Sequence, residues 1–225
     1  MKLLIVGAMD SEIDFIKNKL ENLKEEVHNN FVFYLGNIKN KEIILVKSGI
    51  GRVMSAVLIT TAINNYSFDF VINVGVAGGI KGTNVGDIIV GQKYVYGDVN
   101  VTPAGYEFGQ MARFPRFFTS NINLSREFDA DYILGDICTC DSFTTSEKFV
   151  NELNEKYFND LNIKCFDMES TAFAQTCYYF NIPFIAIRSI SDVIGNTNQS
   201  EQYEDNEILS ANKVNEFLYK LIEVM

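Results

Sequence analysis

Leu3-Leu4-Ile5-Val6-Gly7-Ala8-Met9-Asp10-Ser11-Glu12 begins as an uninterrupted apolar run, passes through a glycine and ends among acids. A strand with one wet face alternates apolar and polar side chains, whereas a strand covered on both faces can be apolar throughout. Beyond the acids the period changes: Ile13, Ile16 and Leu20 share one face of a helix over residues 11–20. Strand, tight turn and amphipathic helix form the unit from which α/β proteins are built. The unit recurs along the chain. Apolar runs at 3–6, 31–35, 43–46, 70–74, 88–95, 133–138, 164–166 and 184–187 read as strands, and residues 53–63 and 168–180 read as helices. A closing helix from residue 206 carries Ile208, Ala211, Val214, Leu218, Leu221 and Ile222 on one side. The polar link around residues 37–41 joins two runs as a hairpin would, which makes the sheet mixed. The expected architecture is α/β: one domain over residues 1–225, with a mixed, mostly parallel twisted β-sheet flanked by helices.

The composition fits a folded globular chain. Hydrophobic residues make up 47% of the 225 residues and charged residues 21%, and only three prolines occur. The formal net charge of −10 disfavours nucleic acid and anionic lipid as partners, and no basic stripe offsets it. The apolar run at 3–6 is too short for a signal peptide, and no apolar stretch reaches the ~18 residues of a membrane span. The four cysteines, Cys138, Cys140, Cys165 and Cys177, form no C-x-x-C pair and read as reduced, buried thiols of a cytoplasmic protein. The only histidine is His28, in a polar, turn-like stretch where a surface loop is expected. One histidine and no cysteine cluster leave no ligand set for zinc, so neither a metal nor a cofactor is expected. The same shortage argues against serine–histidine and cysteine–histidine catalysis, so acid–base chemistry falls to carboxylates, lysine, tyrosine or cysteine.

In open α/β sheets, ligands bind beyond the carboxyl ends of the strands. That rule selects Gly7-Ala8-Met9-Asp10-Ser11-Glu12, Ser48-Gly49-Ile50-Gly51-Arg52, Gly75-Val76-Ala77-Gly78-Gly79, Asp167-Met168-Glu169 and Arg188-Ser189-Ile190-Ser191-Asp192. A dinucleotide site is excluded because Met54 stands where the third glycine of G-x-G-x-x-G belongs, and no P-loop is present. Three carboxylates remain at predicted strand ends: Glu12, Glu169 and Asp192.

These blocks, together with Val85-Gly86-Asp87-Ile88, Asp98-Val99-Asn100-Val101-Thr102 and Gly105-Tyr106-Glu107-Phe108-Gly109-Gln110, resemble those of the 5′-methylthioadenosine/S-adenosylhomocysteine nucleosidases, of the purine nucleoside phosphorylase superfamily. The resemblance runs over nearly the whole chain. It implies a nucleoside phosphorylase-like fold and hydrolysis of the N-glycosidic bond of methylthioadenosine, S-adenosylhomocysteine and 5′-deoxyadenosine, in methionine salvage and removal of methyl-cycle by-products. It implies that Glu12 activates the attacking water and that Asp192 protonates adenine N7, with Ser191 orienting Asp192 and Arg188 holding Glu12 and the water. Glu169 would accept hydrogen bonds from the ribose hydroxyls, with Met168 beside the sugar. Phe143 would stack on adenine and the Thr144 backbone would read its edge. Met9, Ile50, Val76, Ala77 and Gly78 would line the ribose and 5′ region.

The chain departs from that pattern in places. Val76 stands where many relatives carry serine beside the water. Ala104 occupies the place of an aromatic that covers the 5′ substituent from a neighbouring subunit. Tyr203, expected on a mobile loop over residues 195–204, can close the same region. The resemblance further implies a homodimer whose 5′ pocket is completed around Ala104, Tyr106, Phe114 and Pro115. Two rival readings are a phosphorylase, disfavoured by the acids Asp10 and Glu12 where phosphate wants cations, and a non-catalytic purine-binding relative.

Overall fold

The computed structural model describes residues 1–121 and 128–225. Strands β1 (Lys2–Gly7), β2 (Glu21–His28), β3 (Phe31–Ile38), β4 (Lys41–Lys47), β5 (Phe70–Gly79), β6 (Ile88–Tyr96), β7 (Phe118–Thr119), β8 (Ile133–Thr139), β9 (Ile163–Asp167) and β10 (Phe184–Val193) form one sheet. Helices α1 (Asp10–Lys17), α2 (Arg52–Asn65), α3 (Glu147–Lys156), α4 (Ser170–Tyr179) and α5 (Gln199–Val224) pack around it. The strand order is β10-β6-β8-β9-β5-β1-β4-β3-β2, with β7 on β6.

The apolar runs are buried on both faces, as continuous hydrophobicity requires: Leu3, Leu4, Ile5 and Val6 are inaccessible to solvent. On one face, Leu58, Ile59 and Ala62 of α2 and Phe173, Ala174 and Cys177 of α4 meet Leu4, Val6 and Val71. On the other, Ile13 and Ile16 of α1 and Val214, Leu218 and Leu221 of α5 meet Leu3, Ile5 and Ile72. A third cluster, with Val150 and Leu153 of α3, covers Val95, Cys138 and Phe166.

The sheet corrects the expectation of mostly parallel pairing. β1–β4, β1–β5, β5–β10, β6–β8 and β8–β9 run parallel. β2–β3, β3–β4, β5–β9, β6–β7 and β6–β10 run antiparallel, so the two modes are equally represented. β5 pairs with β9 at Gly78↔Phe166 and also with β10, which closes β5, β10, β6, β8 and β9 into a ring of five strands. A both-faces-buried pattern reports burial and carries no information on the direction of the neighbouring strand.

Three further elements depart from the sequence reading. Residues 21–28, a polar segment, form edge strand β2 against β3, and its exposed charges suit an edge that must not recruit another chain. His28 therefore ends a strand, with its ring edge-on to Phe33 and Tyr66 at centroid distances of 5.8 and 5.4 Å. Helix α3 went unassigned, although Ser146 announces it: its hydroxyl accepts from the Phe149 N–H at 3.2 Å, an ordinary N-cap. The closing helix starts at Gln199, so Tyr203 sits on a helix and not on a loop. The four thiols are buried and unbridged. Among the described residues no helix is long and apolar enough to cross a membrane.

Candidate active site

The carboxyl ends of β1, β5, β9 and β10 converge on a half-open cavity. Met9 and Glu12 enter it from the β1–α1 turn, Ile50 from the loop before α2, and Val76, Ala77 and Gly78 from β5. Phe143 and Thr144 come from the loop after β8, Met168 and Glu169 from the β9–α4 junction, Ser191 and Asp192 from β10, and Tyr203 from α5. Of the expected site residues of the chain itself, only Arg188 does not line it.

Glu12 reaches the cavity because the turn beneath it is very tight. A Cβ on Gly7 would meet Glu12 Cβ at 2.8 Å, and one on Gly75 would meet Glu12 Oε1 at 2.5 Å. Any larger residue at either position would displace the carboxylate. Its Oε2 accepts from the Ala8 and Met9 N–H groups at 2.6 and 3.1 Å, and Oε1 accepts from the Val76 N–H at 2.9 Å. Burial pushes its carboxyl above the ordinary range, against the Arg188 charge and the three N–H donors.

Arg188 lies behind this wall, 1% exposed. Its guanidinium pairs with Asp167 at 2.7 Å, Nε donates to the same oxygen at 3.0 Å, and further donors reach the side chain and carbonyl of Asn73. Asp167 also accepts from the Thr139 hydroxyl at 2.6 Å and from the N–H and hydroxyl of Ser170. No hydrogen bond joins Arg188 to Glu12, and its charge reaches Glu12 from behind the cavity wall. A buried guanidinium needs an anion and filled donors, and Asp167 and Asn73 supply both. Sequence reading missed this pair. Part of its signal was available: Asn73 is a polar interruption of the otherwise apolar run of β5.

Glu169 Oε1 accepts from the Gly51 N–H at 2.8 Å. Its pKa is pushed up to about 8, by burial first, then by Asp167, with Glu12 adding and Arg188 opposing. Asp192 is fully buried; Oδ1 accepts from the Ser191 hydroxyl at 2.6 Å and Oδ2 from Gln199 Nε2 at 2.7 Å. Burial raises its carboxyl, and those two hydrogen bonds oppose the rise. The Phe143 ring is 46% exposed at the mouth and meets Tyr203 edge-on at 5.4 Å. The Tyr203 hydroxyl points to Met9 Sδ at 3.7 Å, and burial pushes it up to about 12. No lysine, arginine or histidine is among the lining residues. Among the described residues no group of three or more histidine, cysteine, aspartate or glutamate side chains is arranged to hold a metal ion.

The sequence and the fold can now be compared with known proteins. The family model of the phosphorylase superfamily matches residues 2–223. A 5′-methylthioadenosine/S-adenosylhomocysteine nucleosidase of Hydrogenovibrio crunogenus is 40% identical over 216 residues, covering 91% of this chain and 92% of that protein. The chain belongs to this nucleosidase family of the phosphorylase superfamily. The Bacillus subtilis nucleosidase is 38% identical over 87% of each chain. The crystal structure of the Neisseria meningitidis nucleosidase, in complex with methylthio-immucillin-A, superposes with a TM-score of 0.92 at 31% identity, covering 100% of this chain and 99% of that one.

Ala104, Tyr106, Phe114 and Pro115 lie outside the cavity. Ala104 ends a short 3₁₀ turn (Thr102–Ala104) and is exposed. Phe114 instead lines a surface groove with Val53, Met111, Tyr179 and Phe180.

Raised carboxyls carry a signature in stability. An acid with an ordinary pKa of 4.5 when unfolded and about 8 when folded costs nothing below pH 4.5, and its cost grows as the pH rises to 8. Glu169→Gln keeps the acceptor for the Gly51 N–H and removes the ionisation. The variant is expected to melt several degrees above the wild type at pH 8.5, with the difference vanishing near pH 4.5. A thermal melt at the two pH values checks it.

Proposed function

We infer that this chain hydrolyses the N-glycosidic bond of 5′-methylthioadenosine and S-adenosylhomocysteine, and of 5′-deoxyadenosine, releasing adenine and the 5-substituted ribose. The reading treats residues 1–225 as one nucleosidase domain. The observation that carries it is a cavity with four buried carboxylates, Asp167 paired with Arg188 and the other three, Glu12, Glu169 and Asp192, with acidities lowered by burial, and no cation among its lining residues.

Breaking this bond builds positive charge on the ribose and negative charge on the departing purine. Glu12 accepts a proton from the water that attacks C1′. Its raised pKa makes it a stronger base than an exposed glutamate. Asp192 gives its proton to adenine N7, so the base leaves neutral. The proton gained by Glu12 balances the one lost by Asp192, and the sum is the addition of one water. Ser191 fixes the Asp192 carboxyl at 2.6 Å. Glu169 takes the ribose hydroxyls, Phe143 covers the purine, and Thr144 reads its edge. Val76 offers the water no hydroxyl, but its N–H holds Glu12 at 2.9 Å. Arg188 favours the ionised, basic form of Glu12 from behind.

A phosphorylase needs a site for a dianion, and a wall of acids with no lining cation opposes one. The test is adenine release from methylthioadenosine with and without phosphate. The expected result is free methylthioribose at a rate independent of phosphate. A phosphorylated sugar, or a rate proportional to phosphate, favours phosphorolysis; no adenine in either buffer favours a binding protein.

We also infer a homodimer in which the segment around Ala104, Tyr106, Phe114 and Pro115 completes the partner's 5′ pocket. Val53 and Tyr179, beside Phe114, are 74% and 69% exposed, an apolar surface suited to burial between copies. Light scattering at micromolar concentration is expected to give twice the chain mass. A monomer with full activity refutes the dimer.

A further inference from the structure

Gln199 opens α5 and is buried. Its carboxamide has three partners. Nε2 donates to Asp192 Oδ2 at 2.7 Å and to the Thr144 carbonyl at 2.9 Å, and Oε1 accepts from the Gly195 N–H at 3.2 Å. Three residues on, Gln202 Oε1 accepts from the Val193 N–H at 2.9 Å, so two amides tie the first turn of α5 to the end of β10. Gln199 does not line the cavity; it reaches both groups from behind.

We propose that Gln199 is a positioning residue for the hydrolysis: one planar carboxamide fixes the spacing between the Asp192 carboxyl and the Thr144 carbonyl, so that a purine meets both at once. This rests on the reading of Asp192 as the proton donor. An NH₂ group suits the task, because its two hydrogens diverge in one plane and each takes an acceptor. With Ser191 on Oδ1 and Gln199 on Oδ2, both oxygens of the carboxyl are held. The Gln199 bond favours the ionised form and works against burial, which favours the protonated one. The Gln199 bond thus sets how firmly the Asp192 carboxyl holds the proton that a general acid must release.

The other titratable groups on the cavity walls are Glu12 of α1, Asp167 at the end of β9 (paired with Arg188), Glu169 ahead of α4 and Tyr203 of α5, while β5 presents the uncharged Gly78 to Asp192 Oδ2. Tyr203, pushed up to about 12, stays neutral through an ordinary assay range, and Glu169, near 8, titrates within it. These groups are common to wild type and variant, so a difference between the two reports Gln199.

The variants are Gln199→Leu, which removes the carboxamide, and Gln199→Glu, which keeps the shape and replaces the donors by acceptors. Both are expected to lower kcat for methylthioadenosine by roughly tenfold to a hundredfold. Gln199→Leu should move the alkaline limb of kcat up by about one pH unit, the effect of losing one charge-assisted hydrogen bond, and Gln199→Glu should move it further, because it adds a like charge. The second readout needs no turnover: carbon-13 titration of the Asp192 carboxyl in the free protein, its resonance identified by loss in Asp192→Asn. Its midpoint should rise in both variants, and further in Gln199→Glu, where a second carboxyl faces Oδ2. An unchanged midpoint in a folded variant overturns the proposal. So does a variant with lower KM and undiminished kcat, which would make Gln199 a plug that substrate must displace. If Gln199→Leu does not fold, Gln199→Glu supplies both readouts. If the wild type releases no adenine, the hydrolase reading fails, and the carbon-13 titration still decides whether Gln199 governs Asp192.

Discussion

A Glu12→Gln variant is expected to bind methylthioadenosine and fail to cleave it. The substitution keeps the volume of a side chain that is almost fully enclosed and removes its ability to take a proton from water. Loss of general base assistance commonly costs 10²–10⁴ in rate, and a fall of about 10³ in kcat or more is the expected result. The groups proposed to hold the nucleoside (Phe143, Thr144 and Glu169) are untouched, so the dissociation constant should move far less than kcat. That split marks an interaction needed in the transition state more than in the ground state. The variant also has a structural cost. Three backbone N–H groups, of Ala8, Met9 and Val76, point at the two carboxylate oxygens, and the amide NH₂ of glutamine must face at least one of them. A buried donor left without an acceptor costs about 1–3 kcal/mol, so a lower melting temperature should accompany the lost turnover. Single-turnover adenine release and calorimetric binding measure the two effects separately. Cleavage within about threefold of wild type would remove Glu12 from the mechanism. The wild-type pH profile gives a parallel check. The base must be ionised, and burial raises its pKa, so activity should fall with decreasing pH from a point above the ordinary glutamate range.

Asp192→Asn should reduce turnover by about 10²–10⁴ with much smaller loss of affinity. Asparagine keeps an acceptor for one of its two partners, the Ser191 hydroxyl or Gln199 Nε2, and supplies no proton. Its effect should also depend on the leaving group. A purine analogue that departs without protonation at N7 should be cleaved by the variant at nearly the wild-type rate, whereas adenine nucleosides should not. Equal losses for both kinds of substrate would make Asp192 a structural group. The sign for pH is opposite to that of Glu12: the donor must be protonated, so activity falls as the pH rises through the raised pKa of Asp192.

Parts of this arrangement were legible one segment at a time. The run Leu3–Val6 read as a strand covered on both faces, and Ile13 and Ile16 read as the inward face of a helix; both follow from local period, and the structure buries all of them. Placing ligand groups beyond strand ends singled out Glu12, Glu169 and Asp192; the carboxyl ends of the parallel strands β1 and β10 face one way, and closure of the ring through β9 brings Glu169 to them. The single histidine narrowed the chemistry before any coordinates.

Other features belong to the tertiary structure alone. Strand β2 has no apolar alternation to betray it, since its side chains are almost all exposed, and only its register against β3 makes it a strand. The ring of five strands depends on β5 pairing with both β9 and β10, a relation between segments about a hundred residues apart that no local period encodes. Arg188 read as a residue of the site and proved to be the buried partner of Asp167 and Asn73. Tyr203 read as a site residue on a loop and stands on a helix, and Gln199 gave no signal in that stretch until α5 was seen to begin with it. The sequence by itself determined which segments are buried and which acids stand at strand ends, because both are local properties of residue type and spacing. Only the tertiary structure decided how those acids are paired, desolvated and oriented, because a pKa and a hydrogen bond depend on what the rest of the chain brings within a few ångströms.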